Sequence, residues 1–337
     1  MTIKEHKKDK KLAVIYHYFE ADESYRDNFI FFLNTAINNC SRYFIYISGV
    51  CTVTLPELPN AEFYFIENKN FDFGALSEFS KHHACMDYDT YLFVNSSMRG
   101  PFLPEYYDKS WQAVLASRLT EKIALVGSSI NLLPQDSETS LEFSKKTSYL
   151  APFIHVQTTA YAMSSNIYKQ MHRKGFYNIN HNLNKLEAIC YYELGLSQEI
   201  MKMGFKIAAI LPTYDEFCLS KKTLDFEHNL KNGDPLNKSI FYGRSASPFE
   251  VLFVKPKRRA LSQKELNSYT FTALAIAKKK FGLSSEGVEL MKKAHKEALS
   301  DNEHGERINI SLNDIQKMLK QIKSQRPDLA AGLRGLL

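Results

Sequence analysis

From Leu12 onward, short apolar runs alternate with stretches in which apolar residues recur every three or four positions, the pattern of an α/β layer fold. Lys11–Tyr18 (KLAVIYHY) is expected to be a first buried strand. Ser24, with Asp27 three residues on, is the expected cap of a helix. Its buried face would carry Phe29, Phe32, Leu33, Ala36 and Ile37. Tyr43–Ile47 and Phe63–Ile66 read as strands, and a helix over Ala75–His83 leads to another at Tyr91–Val94. Ile123–Val126 is a short strand, and the polar, Ser/Thr-rich Gln135–Ser148 reads as a surface loop. His155–Met163 returns to strand, and helices follow over Asn166–Arg173 and Leu183–Met203. Strands close the series at Phe205–Leu211, stopped by Pro212, and at Glu250–Val254.

After Arg259 the strands cease. Lys264–Gly282, Ser285–Leu299 and Leu312–Ser324 are Lys-rich and helical, broken at Gly, Ser, Asp and Asn. The chain is therefore expected to divide into an α/β body, residues 1–261, and a helical extension, residues 262–337.

Composition narrows this picture. With 337 residues, 44% hydrophobic and 24% charged, wholesale disorder, collagen repeats and a small disulfide scaffold are excluded. The 23 Phe and 19 Tyr against one Trp make the core bulky. The five cysteines are scattered, without a C-x-x-C pair, which indicates neither a zinc cage nor a disulfide framework and suits a reducing compartment. A net charge of +6 suggests anionic partners such as phosphates, nucleotides or a lipid surface. No stretch approaches the ~20 apolar residues of a membrane span, and the Lys-rich Met1–Lys11 lacks the apolar run of a leader. The expected location is cytoplasmic, resting on the inner membrane from the cytosolic side.

Four stretches could carry chemistry. Glu67–Ala75 (ENKNFDFGA) lies between a strand and a helix, where open α/β sheets bind ligands. There Gly74 permits close backbone approach and Asp72 can accept from a ribose or base; an Asx turn with Asp72 as a helix cap is the alternative. Tyr91–Phe102 (YLFVNSSMRGPF) ends a strand in Asn95-Ser96-Ser97, with Arg99, a permanent cation suited to phosphate or else solvated, close behind. Tyr192–Ile207 (YELGLSQEIMKMGFKI) sets Glu193 at a helix entrance, as a general base or a surface acid. Glu199 competes with it, within the helix. Pro248–Arg259 (PFEVLFVKPKRR) delivers Lys255, Lys257, Arg258 and Arg259, to a diphosphate or merely as a basic linker or lipid patch. His17, His155 and Gln157 fall on strands, where a satisfied core position is the commoner outcome. No P-loop, dinucleotide fingerprint, zincin helix or nucleophile elbow occurs, and no stacking platform or Cys/His finger speaks for nucleic acid.

Taken in order, HYFEADESYRDNFIFFL, ENKNFDFGA, YDTYLFVNSSMRGPF, VGSSIN, HVQTTAYAM, YYELGLSQEIMKMGFKI and PFEVLFVKPKR resemble a family of GT-A-like glycosyltransferases of bacterial surface-polysaccharide (capsule or O-antigen) biosynthesis. The resemblance spans residues 11–259. It implies a mixed, mostly parallel α/β sheet flanked by helices, and a nucleotide-sugar donor, a UDP-sugar, over the first half of that sheet. Asn68 and Asp72 would lie near the nucleoside, Asn95 and Ser97 would take the Asp-x-Asp positions, and Glu193 would be the base of an inverting enzyme. Arg99, Lys255 and Arg258 would stabilise the departing diphosphate. The acceptor would be a glycan, lipid-linked, with the enzyme in peripheral contact with the membrane and no nucleic acid partner. Asn70 stands where Gly is expected, a change Asn tolerates at positive φ. The triplet carries no carboxylate, which argues against a divalent metal, and no residue is assigned to one. A sugar-phosphate or nucleotidyl transferase, and a degenerate domain serving as a scaffold in polysaccharide assembly, remain the alternatives.

Overall fold

The computed structural model describes residues 11–83, 86–147, 149, 153–211 and 233–300. Its centre is a seven-stranded sheet in the order β3-β2-β1-β4-β8-β5-β9. The strands are β1 (Leu12–Phe19), β2 (Ser41–Ser48), β3 (Ala61–Ile66), β4 (Thr90–Asn95), β5 (Ile123–Gly127), β8 (Ala160–Ser164) and β9 (Lys206–Ala209). Only β8 runs against its neighbours; the other pairings are parallel. This is the mixed, mostly parallel α/β class that the sequence implied. β1, β2 and β4 are buried nearly throughout, as parallel strands covered on both faces must be. Aromatic pairs fill the layers: Tyr16 on Phe32 at 4.1 Å, Tyr91 on Tyr168 at 4.1 Å and Phe93 on Tyr161 at 4.7 Å.

The chain steps outward from β1 through β2 to β3, then returns to β4 on the other side of β1. The order of the sheet therefore reverses between β1 and β4, and a crevice opens beyond their carboxyl ends. Helix α2 (Phe71–His83) begins four residues earlier than its apolar spacing predicts, so Asp72 lies in its first turn. Helix α1 (Glu23–Thr35) is capped not by Ser24 but by Asp22, whose carboxylate accepts from Tyr25 N at 3.3 Å. Asp27, expected near the cap, is buried instead.

Three further expectations are corrected. Within the supposed loop Gln135–Ser148, Ser137 caps a helix, α4 (Glu138–Lys146), anchored by Phe143 among Phe153, Cys190 and Leu194. One apolar anchor in a polar segment leaves little periodicity to read. His155–Met163 is not one strand. A turn after Val156 separates β8 from β7 (Phe153–Val156), which pairs antiparallel with β6 (Ile130–Leu133) in a small second sheet. The supposed strand Glu250–Val254 opens as the end of a helix and is not a strand. Ser247 and Glu250 form a capping box that starts α8 (Pro248–Val251), and only Val254 makes a bridge, with Arg99. Helices α3 (Trp111–Ala116) and α5 (Ser165–Arg173) complete this part of the body.

The Lys-rich helices α9 (Gln263–Phe281) and α10 (Ser285–Leu299) follow, and the compact unit that holds the sheet runs through Ala298. Leu312–Ser324 lies outside the described residues. α9 packs on α1 with Leu266, Thr270 and Leu274 buried, and Lys293 of α10 turns inward to Asp27 at 3.0 Å and Glu23 at 2.7 Å. Arg99 is enclosed at this junction. Its guanidinium donates to Asn28 Oδ1 at 2.9 Å and Thr270 Oγ1 at 3.2 Å, and lies 3.8 Å from Asp27. Among the described residues no helix is long and apolar enough to cross a membrane.

Removing a buried charge that several polar groups surround leaves them without a partner. Arg99→Met should therefore lower unfolding free energy by about 3 kcal/mol in urea titration. A loss below about 0.5 kcal/mol would mean that Asn28, Thr270 and Asp27 do not depend on it.

Candidate functional site

The crevice beyond β1 and β4 is a cleft of about 900 Å³, within the range of small-molecule sites. Strand register sets its floor. His17 and Asn95 are paired across β1 and β4, and Ser48 lies two residues beyond the β2 partner of His17, hence on the same face. His17 Nδ1 is 2.7 Å from Asp72 Oδ1 and its Nε2 is 2.8 Å from Ser48 Oγ. A carboxylate only accepts, so in the neutral ring Nδ1 carries the proton and Nε2 accepts from the Ser48 hydroxyl. Asn95 Nδ2 donates to the second oxygen of Asp72 at 2.7 Å, while Ser97 N and Oγ donate to Asn95 Oδ1 at 3.1 and 2.6 Å. The triplet after β4 thus aims Asp72 into the cleft, where its side chain is 40% exposed.

The loop before α2 carries strain. Asn70 and Phe71 both adopt left-handed φ, +61° and +55°, and Asn70 Oδ1 accepts from Leu183 N at 2.8 Å. Asn70 does take the positive φ for which Gly was expected. Phe71, half exposed, lines the cleft beside Asn68. Gly74 has a different part from the one expected. A Cβ there would lie 2.1 Å from Lys69 O, so Gly74 lets the helix start close onto its own loop, and it does not line the cleft.

The opposite wall comes from the segment expected as one helix over Leu183–Met203. Asn184 and Glu187 form a capping box around α6 (Lys185–Glu187), a π-helical segment follows over Ala188–Leu194, and α7 (Gly195–Lys202) continues. Such widened turns occur frequently at functional sites. Glu193, in the π-helical segment, lines the cleft with its side chain 26% exposed. Its surroundings push its pKa up to about 7. Burial is the main cause and Asp72 and Asp234 add to it, against the downward pull of Lys255 and Arg258. Glu199 instead lies beside Tyr149 and Lys174, away from the cleft.

Pro256–Arg258 forms a 3₁₀ turn, in which positions three apart eclipse. Lys255 and Arg258 therefore both enter the cleft, whereas Lys257 turns away to Asp22 at 2.7 Å. Burial, then the neighbouring Arg258, holds the Lys255 ammonium below its ordinary pKa. Arg258 Nη1 is paired with Asp234 Oδ2, and Gln157 Nε2 donates to Asp234 Oδ1 at 2.6 Å.

The structure thus gathers Asn68, Asp72, Asn95 and Ser97 on one side of a single cleft and Glu193, Lys255 and Arg258 on the other. Arg99 is not among them. It is 3% exposed behind the triplet, so it is no direct partner of a ligand phosphate here. Sequence reasoning missed Phe71 and Asp234, and weighed His17 only as a core position on its strand. For His17 the available signal was its place two residues from the end of an otherwise apolar strand; Asp234 had none. Among the described residues no three His, Cys, Asp or Glu side chains converge as metal ligands would.

No family model matches the chain. No curated protein matches it either. Among solved structures it is similar to the mannosyltransferase PcManGT from Pyrobaculum calidifontis, in complex with GDP-Man and Mn2+, at 12% identity. The match covers 87% of this chain and 81% of that one, with a TM-score of 0.37.

The raised Glu193 pKa has a consequence for stability. The folded protein holds this proton more tightly than the unfolded chain does, so the contribution is full below about 4.5 and lost as pH rises through about 7. Glu193→Gln, which cannot ionise, should exceed wild type in stability by about 2 kcal/mol at pH 8 and match it near pH 5. Urea titrations at the two pH values measure this, and an equal difference at both would place the charge in ordinary solvent.

Proposed function

We propose that the protein is a glycosyltransferase that moves a sugar from a nucleoside-diphosphate donor, a UDP-sugar, to a glycan acceptor hydroxyl with inversion. The observation that carries this reading is the sharing of one switch-point cleft by a carboxyl tuned near neutrality and a pair of fixed cations. In the proposed step the acceptor oxygen attacks the anomeric carbon while its proton passes to Glu193. The bond from that carbon to the diphosphate breaks, and the released anion rests on Lys255 and Arg258. Asp72, held by His17 and Asn95, and Asn68 bind the nucleoside. Arg99 acts only by holding the triplet in place.

The donor set of the triplet does not suit a divalent cation. Asn95 Oδ1 is taken by Ser97, and each oxygen of Asp72 already accepts a hydrogen bond. The two cations are the groups that support leaving-group stabilisation. A lipid-linked acceptor for surface polysaccharide, at the cytosolic face of the inner membrane, fits the basic run Lys278, Lys279 and Lys280 beside the exposed Phe281.

Four outcomes follow. Glu193→Gln loses turnover by at least ~10²-fold with nucleotide binding intact. Lys255→Ala slows transfer by ~10²-fold. Asp72→Ala weakens nucleoside-diphosphate binding by roughly tenfold or more. In wild type, kcat/KM rises with pH and levels off above about 7, because the base must be ionised to act. Assays with a panel of nucleotide-sugars, each with EDTA, check these together. Activity that is lost in EDTA and restored by Mn²⁺ overturns the metal-free reading. Binding without transfer from any donor favours the scaffold alternative, and a phosphorylated product the sugar-phosphate or nucleotidyl one.

A further inference from the structure

We propose that strand β7 and the residue that follows it position the cleft's reactive wall: His155 orients Glu193, and Gln157, through Asp234, fixes Arg258. This rests on the reading of Glu193 as base and Arg258 as anion partner. His155 and Gln157 are two apart in the chain, 4% and 2% exposed. His155 is not a satisfied core side chain, and Gln157 is satisfied by Asp234 rather than by the core. His155 Nε2 lies 3.9 Å from Glu193 Oε1, and its Nδ1 has no hydrogen-bond partner among the described residues.

The lacing around His155 fixes this approach from both sides. Gln198 Nε2 of α7 donates to Ile154 O at 2.7 Å, and Val156 N donates to Ser197 Oγ of α7 at 3.0 Å. The strand that carries His155 is therefore bonded, one residue before and one after it, to the helix that continues from the Glu193 turn. The ring itself is neutral around pH 7, since burial and the charge of Arg258 push its pKa down to about 4. Of its two tautomers, one would bury an unpaired N–H at Nδ1 and turn a lone pair toward the carboxylate. The other directs Nε2–H at Glu193 and leaves only an acceptor unpaired, the cheaper arrangement. His155 thus offers a hydrogen-bond donor without a formal charge, one small displacement from contact.

Gln157 works on the other reactive group. Its amide and Leu236 N, at 2.6 and 2.9 Å, both donate to Asp234 Oδ1, which leaves Oδ2 for Arg258. The groups that act on Glu193 come from five directions: Asp72 on α2, Asp234 before α8, Lys255 and Arg258 on the 3₁₀ arm, Tyr161 on β8 and His155 on β7. Among them only His155 and Tyr161 are neither Asp carboxyl groups nor the basic groups of Lys and Arg. His155 is the neutral donor set nearest the carboxylate by the β7 lacing.

The test reads both halves directly on the full chain. Carboxyl-¹³C glutamate NMR follows the titration of Glu193, its signal assigned by loss in Glu193→Gln. His155→Phe should raise the proton affinity of Glu193 by roughly tenfold, one pK unit, and His155→Gln, which keeps a donor, should restore most of it. His155→Asn replaces the Phe variant if that does not fold. Gln157→Leu and Asp234→Asn should leave His155's effect in place and weaken binding of UDP, GDP or pyrophosphate by about tenfold in calorimetric titration. An unmoved Glu193 titration in folded His155 variants overturns the first half. Unchanged anion binding in the Gln157 variant, or no anion binding by wild type, overturns the second. Retained turnover in Glu193→Gln would instead sink the base assignment and leave the NMR result standing, so the two failures are distinct.

Discussion

A buried guanidinium is the constraint on which the arrangement turns. Arg99 cannot shed its charge, and enclosure is tolerable only while Asn28, Thr270 and Asp27 surround it. Those partners come from α1 and α9, so the demand of one side chain draws the C-terminal helices onto the body. Its backbone serves a second purpose. Arg99 N and O exchange hydrogen bonds with Val254 at 2.8 and 2.9 Å, one residue before Lys255. Asn28 in turn donates to Ser96 O at 2.9 Å, behind the triplet that aims Asp72. Both walls of the cleft are therefore registered to the same residue, although it touches neither the cavity nor anything in it.

The cleft is also where regular structure gives way. Asn70 and Phe71 hold left-handed φ in succession, and each such residue costs on the order of 1–3 kcal/mol, less for Asn. Across from them the helix widens into a π-helical segment at Glu193. The π-helical segment also gives Cys190 and Leu194 to the cluster around Phe143, whereas Phe71 stays half exposed. The common effect of the two irregularities is direction: one brings Phe71 and Asp72 up from the sheet, the other turns Glu193 toward them. The small sheet of β6 and β7 then backs that second wall, with Phe153 packed against Cys190 and Leu194 and His155 beside Glu193.

This division explains what could be read along the chain. The core strands were legible because burial on both faces leaves long apolar runs, as in KLAVIYHY and YLFV. Asp72 and Asn95 could be singled out because polar residues at the ends of such runs fall at the ligand edge of an open sheet, and Glu193 because a carboxylate at an expected helix entrance can serve as a base. Their mutual contacts could not. The Asn95–Asp72 bond depends on pairing between strands distant in sequence, and a carboxamide gives no sign of which side chain it will orient. Arg99 was misjudged for a related reason. Beside Gly100-Pro101 it reads as a loop residue open to solvent, and the helix that covers it arrives some 170 positions later, through Thr270. Pro248–Val254 misled because a short helix opened by a capping box carries the same apolar content as a buried strand.

On the proposed reading the chemistry rests on a balance at Glu193 that no single neighbour sets. Two cations alone would hold its carboxyl in the usual acidic range or below; enclosure alone would carry it higher than about 7. With both present it lies close to neutrality, where a group can both take up and release a proton. The cations are themselves unequal. Arg258 is anchored by Asp234, whereas Lys255 is enclosed beside it and has no ion pair among the described residues, so its ammonium is already below its ordinary proton affinity. On the proposed reading an arriving diphosphate meets that enclosed cation, and its charge offsets the pull that Lys255 and Arg258 exert on Glu193. The carboxylate would then become a stronger base once the donor is seated, the moment at which an acceptor proton has somewhere useful to go.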